Sequence, residues 1–321
     1  MTEIDEIVGG VLAGNRRSIA KAITTVENNA PEAQQLITQI YPHTGKAHII
    51  GLTGAGGAGK STLIEKIVRE YRQRGKTVGV VAVDPTSPFS GGAFLGDRIR
   101  MQQLSTDQGV FIRSMATRNY AGGIARATKD AVKVLDAAGK DVVIVETVGA
   151  GQSEVEIIKV AQTIVVVHAP GLGDEIQAIK AGIMEIADIF VVNKADRENA
   201  NNAVMDIQAN LQLSSKENAW KPPVLKTIAL TGEGVPELIE KLEEHKCFLE
   251  GDLECKMASL RTRAENELVD AIKERAAAVL IEKSKKEGKF DELLQMIIDR
   301  KIDPASAAEK LLKKAATDAK T

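Results

Sequence analysis

The run Gly54-Ala55-Gly56-Gly57-Ala58-Gly59-Lys60-Ser61-Thr62 spells GxxxxGKS with a threonine after it. Residue types at this spacing suit one task, the binding of a phosphate chain, and all nine positions except Ala55 are expected nucleotide contacts. Glycines let the backbone curl until its N–H groups face an anion, and the amino terminus of a following helix adds partial positive charge. Lys60 is placed to bridge β- and γ-phosphates, and the Ser61 hydroxyl to take a coordination position on Mg²⁺. Apolar Ile49 to Thr53 before the loop and Leu63 to Arg74 after it supply the strand and helix that the motif requires.

Two further elements complete the chemistry. The stretch Asp141 to Gly149 is an apolar run ending in Glu146, with Gly149 three residues on. A carboxylate at such a strand end lies near the metal and the γ-phosphate, and the glycine amide can sense that phosphate. No glutamine directly follows Gly149, so slow intrinsic turnover is expected. Farther along, Asn193-Lys194-Ala195-Asp196 reads NKxD after another apolar run. The Asp196 carboxylate can accept from guanine N1–H and the 2-amino group, the Lys194 stem can pack along the base, and backbone around Ala229 and Leu230 can meet guanine O6. Adenine would leave Asp196 without donors, so GTP is expected over ATP.

These residues fall at the ends of short apolar runs. The runs are Ala47 to Thr53, Thr77 to Val83, Val110 to Arg113, Asp141 to Thr147, Gln162 to His168, Ala187 to Val192 and Val224 to Ala229. Continuous apolar strands alternating with amphipathic helices predict an α/β fold, a doubly wound, mostly parallel sheet covered on both faces. A helical extension over 1–46 precedes this nucleotide-binding domain of 47–246. A helical arm over 247–321 follows, where Leu253, Met257, Leu260, Ala264, Leu268 and Ile272 recur on one face. That face needs a cover, and pairing with a second copy of the chain is the expectation.

Composition narrows the class. With 42 basic against 44 acidic side chains, wholesale attraction to nucleic acid or anionic membrane is not expected. Apolar runs such as Ile164 to Val167 are far too short for a membrane span. Met1 to Gly10 carries Glu3, Asp5 and Glu6 where a signal peptide would carry cations, so a cytoplasmic location is expected. Cys247 and Cys255 form no CxxC pair, and His43, His48, His168 and His245 are scattered. No structural zinc is expected.

Taken together, these motifs resemble the MeaB/ArgK-type GTPases. The resemblance extends through Tyr41-Pro42-His43-Thr44-Gly45, the segment from Ala82 to Asp97, the segment from Glu146 to Glu154, and Gly173-Asp174-Glu175-Ile176-Gln177-Ala178-Ile179-Lys180-Ala181-Gly182. It implies a homodimeric GTPase that acts as a chaperone for an adenosylcobalamin-dependent acyl-CoA mutase such as methylmalonyl-CoA mutase, gating cofactor delivery and protecting the enzyme. It further implies that Asp84 lies near Mg²⁺ with Ser61 and Glu146, and that Asp97 organises the catalytic water. Gln152, Gln177 and Lys180 would belong to switches coupling GTP or GDP to the mutase, with Lys180 neutralising phosphate charge. Gly56 departs from the pattern, since relatives often have proline there, and should loosen the loop. Alternative readings are a nucleotide-dependent kinase of the ArgK type acting on amino-acid transport proteins, a GTPase for nickel insertion, and a sensing scaffold that scarcely hydrolyses GTP.

Overall fold

The structure is a computed structural model that describes residues 2–84, 104, 106–116, 126–147, 157–171, 183–213, 219–251 and 253–318. It divides into two compact units, Met1–Asp252 and Leu253–Thr321.

Among the described residues the first unit holds seven strands: β1 His48–Thr53, β2 Val78–Asp84, β3 Val110–Ala116, β4 Val142–Glu146, β5 Thr163–His168, β6 Ile189–Asn193 and β7 Val224–Thr227. They lie in the order β3-β2-β4-β1-β5-β6-β7. Every neighbouring pair is parallel, which is the predicted doubly wound architecture. The central strands are runs of apolar residues on both faces because both faces are covered. Val143, Val145, Ile164, Val166, Phe190 and Val192 point to one core. Their alternates Val142, Ile144, Val165, Val167, Ile189 and Val191 point to the other.

Helices α1 Glu3–Leu12, α2 Arg16–Glu27, α3 Ala33–Ile40 and α5 Arg126–Ala137 close the first face. The amino-terminal helices therefore share a core with the sheet, burying Ile19, Ile23, Leu36 and Ile40 completely or nearly so. Helices α4 Lys60–Gln73 and α7 Val235–Gly251 close the second face through Leu63, Ile64, Ile67, Leu238, Ile239 and Leu242. Between β6 and β7 runs α6 Ala200–Leu213.

The Tyr41-Pro42-His43-Thr44-Gly45 turn is explained by one buried carboxylate. Asp136, in the last turn of α5, accepts from the backbone N–H groups of Gly45 at 2.5 Å, Lys46 at 3.1 Å and Ala47 at 2.9 Å. Gly45 has φ +94°, a left-handed conformation that favours glycine. The turn is thereby clamped where the chain enters β1, the strand that leads to the phosphate loop.

The second unit contains α8 Leu253–Lys286, α9 Lys289–Ile298 and α10 Pro304–Asp318. Along α8, Met257, Leu260, Leu268 and Ile272 are exposed. No helix among the described residues is long and apolar enough to cross a membrane.

Candidate nucleotide site

Because the strands are parallel, their carboxyl ends share one edge, where open α/β sheets bind ligands. Thr53, Glu146, His168, Asn193 and Thr227 end β1, β4, β5, β6 and β7 there, all buried polar residues closing apolar strands. The loop Gly54 to Gly59 leaves β1 at this edge and enters α4.

The loop glycines are not interchangeable. Gly54 has φ +131°, and a Cβ on it would lie 2.0 Å from the Val167 carbonyl oxygen. Gly59 has φ +91°, and its Cβ would lie 2.5 Å from Asn193 Nδ2. A Cβ on Gly56 would meet nothing within 4 Å, so a side chain or a proline ring finds open space there. No side chain caps α4 at Gly59, which leaves its first-turn N–H groups, Thr62 among them, to an anion.

The side chains converge on the loop. Buried Lys60 donates from Nζ to the carbonyl oxygens of Gly54 at 2.6 Å and Ala55 at 3.0 Å, which folds its ammonium over the loop. Ser61 Oγ donates to Glu146 Oε1 at 2.7 Å. The phosphate-loop serine and the carboxylate at the β4 end are thus in direct contact, although 85 positions separate them in sequence. Beyond Glu146 the ladder continues, with Thr147 N donating to Leu52 O at 3.1 Å and Thr147 Oγ1 to Thr53 Oγ1 at 3.0 Å. A serine hydroxyl beside a carboxylate is a hard-oxygen donor set, which fits Mg²⁺.

The NKxD segment is tied to the same loop. Asn193 Nδ2 donates to Ala58 O at 2.8 Å, while its Oδ1 accepts from Thr227 Oγ1 at 3.1 Å and Ala229 N at 3.0 Å. Lys194 Nζ donates to Gly57 O at 2.7 Å, and Lys194 holds φ +58°, an uncommon conformation for a residue with a side chain. Ala195 N donates to Thr227 O at 3.0 Å. Asn193 is therefore a staple between three loops, and the Asp196 side chain is exposed beside it. A tight turn, closed by Gly232 N donating to Ile228 O at 2.8 Å, leaves Leu230 projecting 79% exposed beside Ala229.

Of the other residues singled out in the sequence, Asp84 ends β2, and only its backbone is described. Asp97, Gly149, Gln152, Gln177 and Lys180 lie outside the described residues. Sequence reasoning missed Thr53, Thr147 and Thr227, whose hydroxyls join the strand ends. The available signal was a threonine at the last position of β1 and β7 and just past that of β4.

The fold and this site define a P-loop GTPase. The chain belongs to the family described as methylmalonyl-CoA mutase-associated GTPase MeaB, which it matches over residues 19–287. A relative from Pyrococcus horikoshii, which carries a provisional GTPase name, is 54% identical over 319 residues, 98% of this chain and 99% of that one. The mouse methylmalonic aciduria type A homolog, a mitochondrial protein, is 34% identical over 273 residues, 79% of this chain and 66% of its own. Among solved structures, a LAO/AO transport system kinase is similar at TM-score 0.73 and 26% identity, covering 98% of this chain and 99% of that one. The protein is a GTP hydrolase, with guanine nucleotide as its bound ligand.

Proposed function

We propose that this GTPase is a nucleotide-controlled chaperone for an adenosylcobalamin-dependent acyl-CoA mutase, methylmalonyl-CoA mutase being the family's namesake partner. The observation that carries the nucleotide half of this reading is the 2.7 Å contact between Ser61 and Glu146, which joins the phosphate loop to the β4 end. Residues after Glu146 lead into the segment expected to differ between GTP and GDP. A nucleotide can bias a partner only through such differences.

In this reading the loop N–H groups and Lys60 hold the phosphates, and Asp196 with the Ala229–Leu230 turn holds guanine. Mg²⁺, held by Ser61 and Glu146 with Asp84, would neutralise charge on the phosphate oxygens. Water attacks the γ-phosphorus of GTP and the bond to the β–γ bridging oxygen breaks, so that GDP leaves and phosphate is formed. Asp97 orders that water, while Lys180, with Gln177, links the nucleotide to the mutase. Lys180→Ala is expected to leave GDP binding intact and to blunt mutase-stimulated turnover. Unchanged stimulation would remove Lys180 from the mechanism.

The chain works as a homodimer through its carboxy-terminal helices, which gives the exposed α8 residues a cover. The direct test is mutase affinity measured with GDP and with a non-hydrolysable GTP analogue. Reciprocity requires the two affinities to differ by the same factor as the two nucleotides' affinities change when mutase is added. Equal affinities would end the chaperone reading. The name of the similar transport-system kinase raises phosphoryl transfer to protein as a second reading. Label from γ-³²P-GTP appearing on an acceptor protein, and not only in free phosphate, would favour it.

A further inference from the structure

Three polar side chains meet at the end of the sheet opposite the phosphate loop, on the face closed by α4 and α7. His48 opens β1 in line with Ile50 and Leu52, and Thr163 opens β5 in line with Val165 and Val167. His245 follows Leu238 and Leu242 along the buried side of α7. Each continues an apolar row, so each is carried into the core and needs a partner there. One hydroxyl serves both rings. Thr163 Oγ1 lies 2.8 Å from His48 Nε2 and 2.9 Å from His245 Nδ1, and His245 Nε2 lies 3.4 Å from Asp188 Oδ1. Asp188 is fixed in turn, its Oδ2 accepting from Ile164 N and its carbonyl oxygen from Trp220 Nε1, both at 2.8 Å. Thr163 is 0% exposed, so this order of carboxylate, imidazole and hydroxyl is closed to a substrate.

Hydrogens fit this chain in two ways, because a threonine hydroxyl donates once and a neutral imidazole carries one N–H and one acceptor. With His245 neutral, its Nε2–H faces the Asp188 carboxylate, its Nδ1 accepts from Thr163, and Thr163 accepts from His48 Nε2–H. A proton added at His48 Nδ1 lets the Nε2 proton pass to Thr163 Oγ1 and the former hydroxyl proton pass to His245 Nδ1. Thr163 then donates to His48 Nε2, and His245 is an imidazolium beside Asp188. All the contacts survive with their directions reversed. A second proton would set two buried imidazolium rings on one hydroxyl, which is costly.

The surrounding charges leave this exchange to the two rings. On α4 the Tyr71 phenol is held well above its ordinary value, first by burial and then by Glu243 of α7, so it keeps its proton where imidazoles titrate. Asp141, before β4, is engaged by Thr77 N at 2.7 Å and Thr77 Oγ1 at 2.8 Å and lies near Lys246 of α7. Glu244 pairs with Lys241 at 2.5 Å, and Lys46, Glu185 and Lys221 are exposed.

We infer that His48, Thr163, His245 and Asp188 form a proton-holding switch at the amino-terminal edge of the sheet, which takes up one proton between about pH 5 and pH 8 and reverses its hydrogen bonds as it does so. The carboxyl-terminal part of α7 is thereby held to β5 and β6 through a neutral chain at high pH and through an ion pair with Asp188 at low pH.

The test uses the full-length protein with GDP and Mg²⁺ bound, titrated from about pH 5 to pH 8.5. Trp220 is the only tryptophan in the chain, and its ring lies 4.7 Å from that of His245, where an imidazolium quenches indole fluorescence more than a neutral imidazole does. Wild type is expected to show one fluorescence transition, with His245 gaining a proton and His48 changing tautomer at the same midpoint in ¹⁵N spectra of the rings. Thr163→Val keeps the shape and removes the bridge. Its midpoint is expected to fall by about 0.5 pH units or more, because the imidazolium loses a charge-assisted hydrogen bond and the neutral ring only an ordinary one. The His48 tautomer should then no longer follow Trp220. Thr163→Ser is expected to restore both, and His245→Asn to remove the transition. A flat Trp220 signal in wild type, or a His48 tautomer unchanged through the transition, would overturn the switch without any variant having to fold. GDP affinity is expected to be the same in all the folded variants, which keeps this result independent of the nucleotide reading.

Discussion

At the residue scale, the site depends on which glycine stands where. Gly59 is left-handed and faces Asn193 Nδ2, so Gly59→Ala adds strain of about 1–3 kcal/mol and pushes on the staple. GDP affinity should fall about tenfold or more, while Gly56→Ala, with open space around its Cβ, should stay within about twofold. Equal effects, measured by titration of a fluorescent GDP, would show that the loop is not held by Asn193. Asn193 and Asp196 of the NKxD motif separate in the same way. Asn193→Ala cuts the ties to Ala58, Thr227 and Ala229 and should weaken every purine nucleotide alike. Asp196→Ala should instead relax the preference for guanine over adenine, by about a hundredfold. Lys140 has a pH signature. Its folded-state proton affinity is lowered, so the unfolded chain binds the proton more tightly, and stability should rise as pH climbs from below the folded value toward 10.5. That rise should be missing in Lys140→Met when unfolding is followed across the alkaline range.

Elements explain why some of this was legible in the sequence and some was not. Glycine spacing, the glutamate at a strand end and NKxD are local patterns, and each stands within a residue of where its apolar run was predicted to end, at Thr53, Thr147 and Val192, the strands themselves ending at Thr53, Glu146 and Asn193. All seven strands were visible as apolar runs because both sheet faces are buried. Strand order was not, because nothing in a run of valines says which neighbour it will have. The contact between Ser61 and Glu146 exists only because β1 and β4 are adjacent, with Leu52 opposite Glu146. The Asp136 clamp was hidden for a similar reason, since its carboxylate lies 89 to 91 residues from the N–H groups it accepts. Asp136→Ala would leave three backbone donors without that acceptor, and should cost about 3 kcal/mol in denaturant unfolding. The GDP affinity of the folded fraction should be unchanged. A loss of nucleotide binding without a loss of stability would mean that the turn before β1 positions the phosphate loop directly.

On the scale of the whole molecule, the proposed homodimer would pair two copies through the carboxy-terminal helical unit. Exposed Leu268 and Ile272 on α8 are the residues to change. Leu268→Glu with Ile272→Glu should give a monomer by sedimentation velocity that still binds GDP, and an unchanged dimer would place the interface elsewhere. The most direct test of the central claim is GTP hydrolysis by the purified protein at saturating Mg²⁺, with and without an adenosylcobalamin-dependent mutase from the same source, and with ATP as control. The account predicts slow GTP turnover that the mutase accelerates, and no comparable turnover of ATP. Hydrolysis of ATP as fast as GTP, or GTP turnover that no acyl-CoA mutase changes, would contradict it.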